Sequence, residues 1–238
     1  MSDNEDELLT SNNSLKARPI KDVFEERRAN DPLRDFYVPW DDIRQGEISA
    51  FEQILESSES ERPLQRWLQD HPIFLVQHLG GGHGRWVIPQ KRLGAEFIPD
   101  FVTLERFSAG FSWTLVELQS PKVKFFTNVR RPSEQLDEGI RQILEWRRWL
   151  SANRDYARRD RTQHGLGLSD IDDKATGLLI IGREQDLSTA DSEQIRQLGY
   201  DHRIEIHTYD WLTREAKRRL EELERSFRRL RNRQDESI

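Results

Sequence analysis

Phe97-Ile98-Pro99-Asp100-Phe101-Val102 and, after a short polar interval, Trp113-Thr114-Leu115-Val116-Glu117-Leu118-Gln119 are the two stretches on which the fold turns. Both are rich in aromatic and β-branched residues, so strands are expected over 97–104 and 113–118. Ser108, Gly110 and Ser112 suit a hairpin loop across 105–112. Each strand carries one acid in apolar company: Asp100 among Phe97, Ile98, Phe101 and Val102, and Glu117 between Val116 and Leu118. A carboxylate buried in that setting is costly unless a cation or hydrogen-bond donors compensate it. Alternation along the strand puts Glu117 and Gln119 on one face and Val116 and Leu118 on the other. If the strands pair, Asp100 and Glu117 meet on the first face. Two hard carboxylates and a water are ligands that suit Mg²⁺ (or Mn²⁺). Such an ion can activate the water and offset charge on a phosphodiester. A solvated Glu-x-Gln near a sheet edge is the other reading of the same spacing.

The flanking segments define the class. Phe51, Ile54 and Leu55 at i, i+3, i+4 mark a helix over about 48–56. Pro63 opens a second helix with Leu64, Trp67 and Leu68 on its apolar face, stopping before His71-Pro72. A strand is expected at Arg85–Pro89, a helix from about Glu134 to Leu150, and a long polar loop over 151–176. Gly177-Leu-Leu-Ile-Ile-Gly182 reads as a buried central strand. A helix (Ser188–Leu198), a strand (Arg203–Thr208) and a closing helix (Asp210–Arg231) follow. Residues 1–30 read as a polar tail, with one helical turn around Val23–Arg28. The class is α/β: a mixed β-sheet flanked by α-helices.

The absence of cysteine excludes disulfides, thiolate nucleophiles and Cys-ligated zinc. No run approaches a membrane span, and the acidic first seven residues are unlike a secretory signal, so a cytoplasmic protein without membrane partners is expected. The net charge of −6 is uneven: residues 1–7 and 41–62 together carry −9, and the remainder carries +3. The average therefore does not exclude a nucleic-acid partner. Residues 141–161 hold seven arginines against three acids, with Trp149 and Tyr156 interleaved. Arg147, Arg148, Arg154, Arg158 and Arg159 could hold phosphate backbone non-specifically, or form a solvated helix end and loop. His78 and His83 lack zinc-site spacing, and Gly80–Gly84 lacks the lysine and hydroxyl of a phosphate loop.

Pro99-Asp100 followed by Glu117-Leu118-Gln119 on a strand and then a helix resembles the PD-(D/E)xK nuclease superfamily, whose fold is restriction-endonuclease-like. Further elements are similar to the Shedu family of phage-defence nucleases. They are Trp67-Leu68-x-x-His71-Pro72, Glu117-Leu118-Gln119-Ser120-Pro121, Gln135 to Trp146 with Gln142, Gly177–Arg183, and His207-Thr208-Tyr209-Asp210-Trp211-Leu212. The resemblance implies a Mg²⁺-dependent DNA endonuclease over residues 48–215, with Asp100 and Glu117 as metal ligands. It leaves 1–47 as an acidic, polar N-terminal part and 216–238 as a C-terminal helix. Superfamily members often take another carboxylate from a preceding helix, for which Glu52 is the candidate. They usually carry Lys where this chain has Gln119, which can hydrogen-bond but brings no charge. Lys122 or Lys124 could supply a cation. Gln142-x-x-x-Trp146 is similar to the Gln-x-x-x-Tyr element of RecB-like nucleases, and Gln135, Gln142, Trp146 and Trp149 share a helical stripe. Members of the resembled family assemble as homo-oligomers. The seam Ala216, Leu220, Leu223, Phe227, Leu230 would pack on such a partner or on the chain's own sheet. A nuclease fold that binds DNA or a protein without cleaving, or a subunit that acts through the C-terminal seam, are the alternatives.

Overall fold

The computed structural model describes residues 33–80 and 83–235, with side chains to residue 229. The turn expected at 23–28 lies outside the described residues, as does the side chain of Leu230. The chain divides into two units at Asp35/Phe36, and the second carries the sheet and the helices. Its elements in order are α1 (Gln45–Ser57), α2 (Glu61–Asp70), a 3₁₀ turn (Pro72–Val76), β1 (Arg85–Pro89), β2 (Phe101–Phe107) and β3 (Gly110–Leu118). There follow α3 (Glu134–Ala152), α4 (Arg154–Arg158), β4 (Thr176–Ile180), α5 (Thr189–His202), β5 (Ile204–His207) and α6 (Tyr209–Asp235). The five strands form one mixed sheet in the order β1-β2-β3-β4-β5. β1, β2 and β3 pair antiparallel; β4 and β5 run parallel to β3, reached through the α3 and α5 crossovers. The α/β class and the helix-flanked mixed sheet are as expected, and the arrangement is consistent with a nuclease-like fold.

Two boundaries moved for identifiable reasons. β2 starts at Phe101 rather than Phe97, because Pro99 has no N–H for a ladder. The β2–β3 hairpin is tight: Phe107 pairs with Gly110, so most of the expected loop is strand. Gly110, with φ +141°, accepts a backbone conformation that L side chains rarely adopt.

The sheet faces bury different layers. Val87, Phe101, Val116, Leu118, Leu178 and Ile180 pack in one core with α1, α2, the 3₁₀ turn and the start of α6. The opposite face meets α3. A Cβ on Gly139 of α3 would lie 2.6 Å from Leu179 Cδ1 and 3.2 Å from Gln119 Cγ, and one on Gly177 would lie 2.7 Å from Ile143 Cγ2. Glu117 is in register with Leu179, so it stands on the α3 face. The last helix runs unbroken through the expected boundary at 215/216. Ala216 and Leu223 are buried in the core with Leu220 against them, whereas Phe227 is 61% exposed. The first part of the seam therefore packs on its own body. No helix among the described residues is long and apolar enough to cross a membrane.

The closeness of α3 makes Gly139 a sensitive position. Gly139→Val should cost ~1–3 kcal/mol by overpacking, read as a lower denaturant midpoint. An unchanged midpoint would show that Leu179 can yield.

Candidate active site

The site forms where β3 ends. The β2–β3 register pairs Phe101 with Val116, and one step further brings Asp100 opposite Glu117 on the α3 face. Two donors from different elements fix Asp100. Its Oδ2 accepts from the Leu118 backbone N–H at 2.8 Å, and its Oδ1 accepts from Gln65 Nε2, on α2, at 2.5 Å. Glu117 is 7% exposed, and its Oε1 accepts from Gln119 Nε2 at 3.1 Å. The Gln119 backbone is held at both ends of its peptide groups: its N–H donates to Ile180 O at 2.9 Å, and its carbonyl accepts from Tyr209 Oη at 2.9 Å. Tyr209 is fully buried at the start of α6, so three separate segments converge on the end of β3.

Burial raises both carboxyl groups. Asp100 is pushed up to about 6, chiefly by desolvation and also by Glu61; the Leu118 N–H, a bond from the Glu117 carboxyl and Gln65 pull the other way. Glu117 is pushed up to about 9 by desolvation first, then by Asp100, with Glu138 and Glu61 adding; the Gln119 amide opposes this. The same three acids, Asp100, Glu61 and Glu117, push the Tyr209 hydroxyl well up beyond the effect of its burial. The charges that act on the pair are thus acidic. At neutral pH without a cation the two carboxyl groups hold a proton between them.

Asp100, Glu117 and Gln119 come together as expected. Glu52 does not join them: its Oε1 pairs with Lys217 Nζ at 2.6 Å, and it lines a cleft of about 610 Å³ between α1 and α6 with Glu56, Arg183 and Asp210. The physical reason is that α1 packs on the opposite sheet face, against Val116 and Leu118. The helix acid whose charge acts on both carboxyls is Glu61, in the first turn of α2, and Glu138 on α3 acts on Glu117. Glu61, Gln65 and Glu138 were not singled out in the sequence; the i, i+4 step from Glu61 to Gln65, beside the apolar Leu64 and Leu68, was the available signal. Gln142 lies one turn beyond Glu138, and its Oε1 is buried with no hydrogen-bond partner. Gln135 is exposed, and Trp146 and Trp149 are core residues. Lys122 pairs with Glu59 at 3.9 Å and Lys124 is exposed, so neither brings its charge to the pair.

The arginine-rich stretch divides. Arg147 donates to the carbonyls of Ala175 (2.8 Å), His202 (2.7 Å) and Arg203 (2.7 Å). Arg158 donates to Ile171 O (2.6 Å) and Asp170 O (3.1 Å). This corrects the expectation for these two residues: their guanidinium groups tie the 159–175 loop and the β5 entry to the body. Arg148, Arg154 and Arg159 are exposed.

Among the described residues, no three His, Cys, Asp or Glu side chains gather as a ready cation cage. The donor set still fits Mg²⁺, which keeps several waters and needs only one or two carboxylates. Asp100 and Glu117 would hold it.

The raised pKa values fix a sign. Unfolded carboxyls titrate near ~4, so between that value and about 9 the folded chain binds more protons, and stability falls as pH rises. In metal-free buffer, Glu117→Gln should raise the melting temperature at alkaline pH and flatten its fall from about pH 5 to about pH 9. Parallel wild-type and variant melting curves would contradict a buried ionisation here.

The family model described as Shedu protein SduA, C-terminal, matches residues 58–213, about two thirds of the chain. No curated protein matches it.

Proposed function

Because this chain belongs to the Shedu family of phage-defence proteins, we propose that it is a Mg²⁺- or Mn²⁺-dependent endonuclease that hydrolyses DNA phosphodiesters. The observation that carries the reading is the buried Asp100–Glu117 pair, whose charged neighbours are acids. Such a pair is stable in its ionised form only when a cation sits on it. A divalent ion held by Asp100 and Glu117 supplies a Lewis acid and lowers the pKa of a water. The chain's own groups do the rest. Gln65 and the Leu118 N–H hold Asp100 in one orientation, and Gln119 does the same for Glu117. The Gln142 Oε1, an acceptor without a partner, can accept a hydrogen bond from a water or from substrate. Glu61 and Glu138 keep the site strongly anionic, which favours metal entry before a phosphate approaches. Exposed Arg148, Arg154 and Arg159 supply non-specific phosphate contacts. Exposed Phe227, beyond the packed part of α6, is the residue a second copy would cover in a homo-oligomer.

A second reading rests on Gln119. Its amide is spent on Glu117 Oε1, so no lysine charge steadies a nucleophile or phosphate, and the fold could bind DNA or a protein partner without efficient cleavage.

The readings separate in a cleavage assay with added Mg²⁺ or Mn²⁺. Asp100→Asn and Glu117→Gln should each reduce cleavage by at least ~100-fold while the protein stays folded, as expected when an ionised ligand is lost. Unchanged cleavage in both would remove the site assignment, and an inert wild type with metal-independent DNA binding would favour the second reading. On the binding side, Arg148→Ala, Arg154→Ala and Arg159→Ala should each lower the slope of log affinity against log salt by about one. Arg147→Ala should instead destabilise the fold, because three carbonyls lose a charged donor. Retained salt slopes in all three exposed-arginine variants would exclude this face as the DNA contact.

A further inference from the structure

We infer that Gln65 is a positioning residue for the metal: it sets the orientation in which Asp100 presents its free lone pairs. The inference rests on the metal-dependent reading above and deepens it.

Asp100 precedes β2 and follows Pro99, so its own backbone is at a strand boundary rather than inside a ladder. Its side chain is fixed by two bonds. The Leu118 N–H takes one lone pair of Oδ2, and Gln65 Nε2 takes one of Oδ1. Each oxygen keeps a second lone pair, one of which takes the proton shared with Glu117 until a cation replaces that proton. The plane of the carboxylate is therefore defined by a backbone donor on one side and a side-chain donor on the other, and only the second can be altered by substitution. Gln65 is itself well anchored: Leu64 and Leu68, flanking it on α2, are fully buried in the core that also holds Phe51 and Phe74. The amide is neutral. It can orient the acid and stabilise its charge by hydrogen bonding without competing for the cation as a lysine or arginine would. Glu117 has the matching arrangement, capped by the Gln119 amide. Each carboxylate of the pair thus has its own glutamine, one from the strand and one from a helix far away in sequence. Partners that orient a metal ligand typically matter ~10–100-fold in metal affinity.

The test is calorimetric titration of the full chain with Mn²⁺ alone, with no DNA. Gln65→Leu removes the donor and keeps the volume close; it should weaken Mn²⁺ binding ~10–100-fold with the melting temperature little changed. Gln65→Met, unbranched and equally unable to donate, should give the same weakening and serves if the leucine variant fails to fold. Arg66→Ala, on the exposed side of the same helix, should leave the affinity as it is. Wild-type affinity in a folded Gln65→Leu or Gln65→Met protein would overturn the positioning role and leave the metal site standing. Loss of folding in both would overturn it too, making Gln65 a packing residue. A wild type that binds no Mn²⁺ would take down the metal-dependent reading itself, a different and separable failure.

Discussion

Everything at the end of β3 follows from one unfavourable contact: two carboxyl groups, Asp100 and Glu117, brought side by side under a helix. Desolvation and mutual repulsion both oppose their ionisation. The surrounding structure answers with donors rather than with charges. A backbone N–H and two glutamine amides are spent on the pair, and Tyr209 is buried to hold the carbonyl of the residue that carries one of those amides. A lysine in this cluster would relieve the repulsion permanently. Without one, the pair keeps a proton at neutral pH.

How much of this could be read in the residues depended on the kind of signal. Asp100 and Glu117 were legible because strand alternation is rigid: an acid between Val116 and Leu118 has one face to occupy, and Pro99 marks where the neighbouring strand begins. Their meeting needed only the hairpin. Glu52 was misread because amphipathicity reports that a helix has an inner face, not which side of the sheet that face meets. α1 and α2 have similar apolar stripes, yet only α2 brings a polar edge, Glu61 and Gln65, to the carboxylates. Arg147 and Arg158 were illegible for a different reason. Composition counts their charge, but their partners are carbonyls left over at the ends of β-entry turns, and those exist only once the chain has folded. The closing helix was half legible: its seam is real, but its first turns bury Ala216 and Leu223 in the chain's own core.

The charge asymmetry also acquires a structural meaning. Several acids of the stretch before the strands are paired. Glu52 pairs with Lys217, Glu56 with Arg183, Glu59 with Lys122 and Asp42 with Arg44. The first two ties cross to the C-terminal side of the chain, where Arg183 also binds Asp210, next to Tyr209. The paired acids tie α1 to the start of α6, and Glu61 adds its charge to the Asp100–Glu117 pair.

Arg147 has a mechanical corollary. Gly139 lies over Gln119 at one end of α3, and Arg147 grips three carbonyls eight residues later, ~12 Å along the axis. A helix so bolted at its far end behaves as a beam with a fixed support. One of the gripped carbonyls belongs to Arg203 at the β5 entry, a non-glycine residue in the left-handed region with φ +55°. That support lies at the opposite end of the parallel strands from the carboxylate pair.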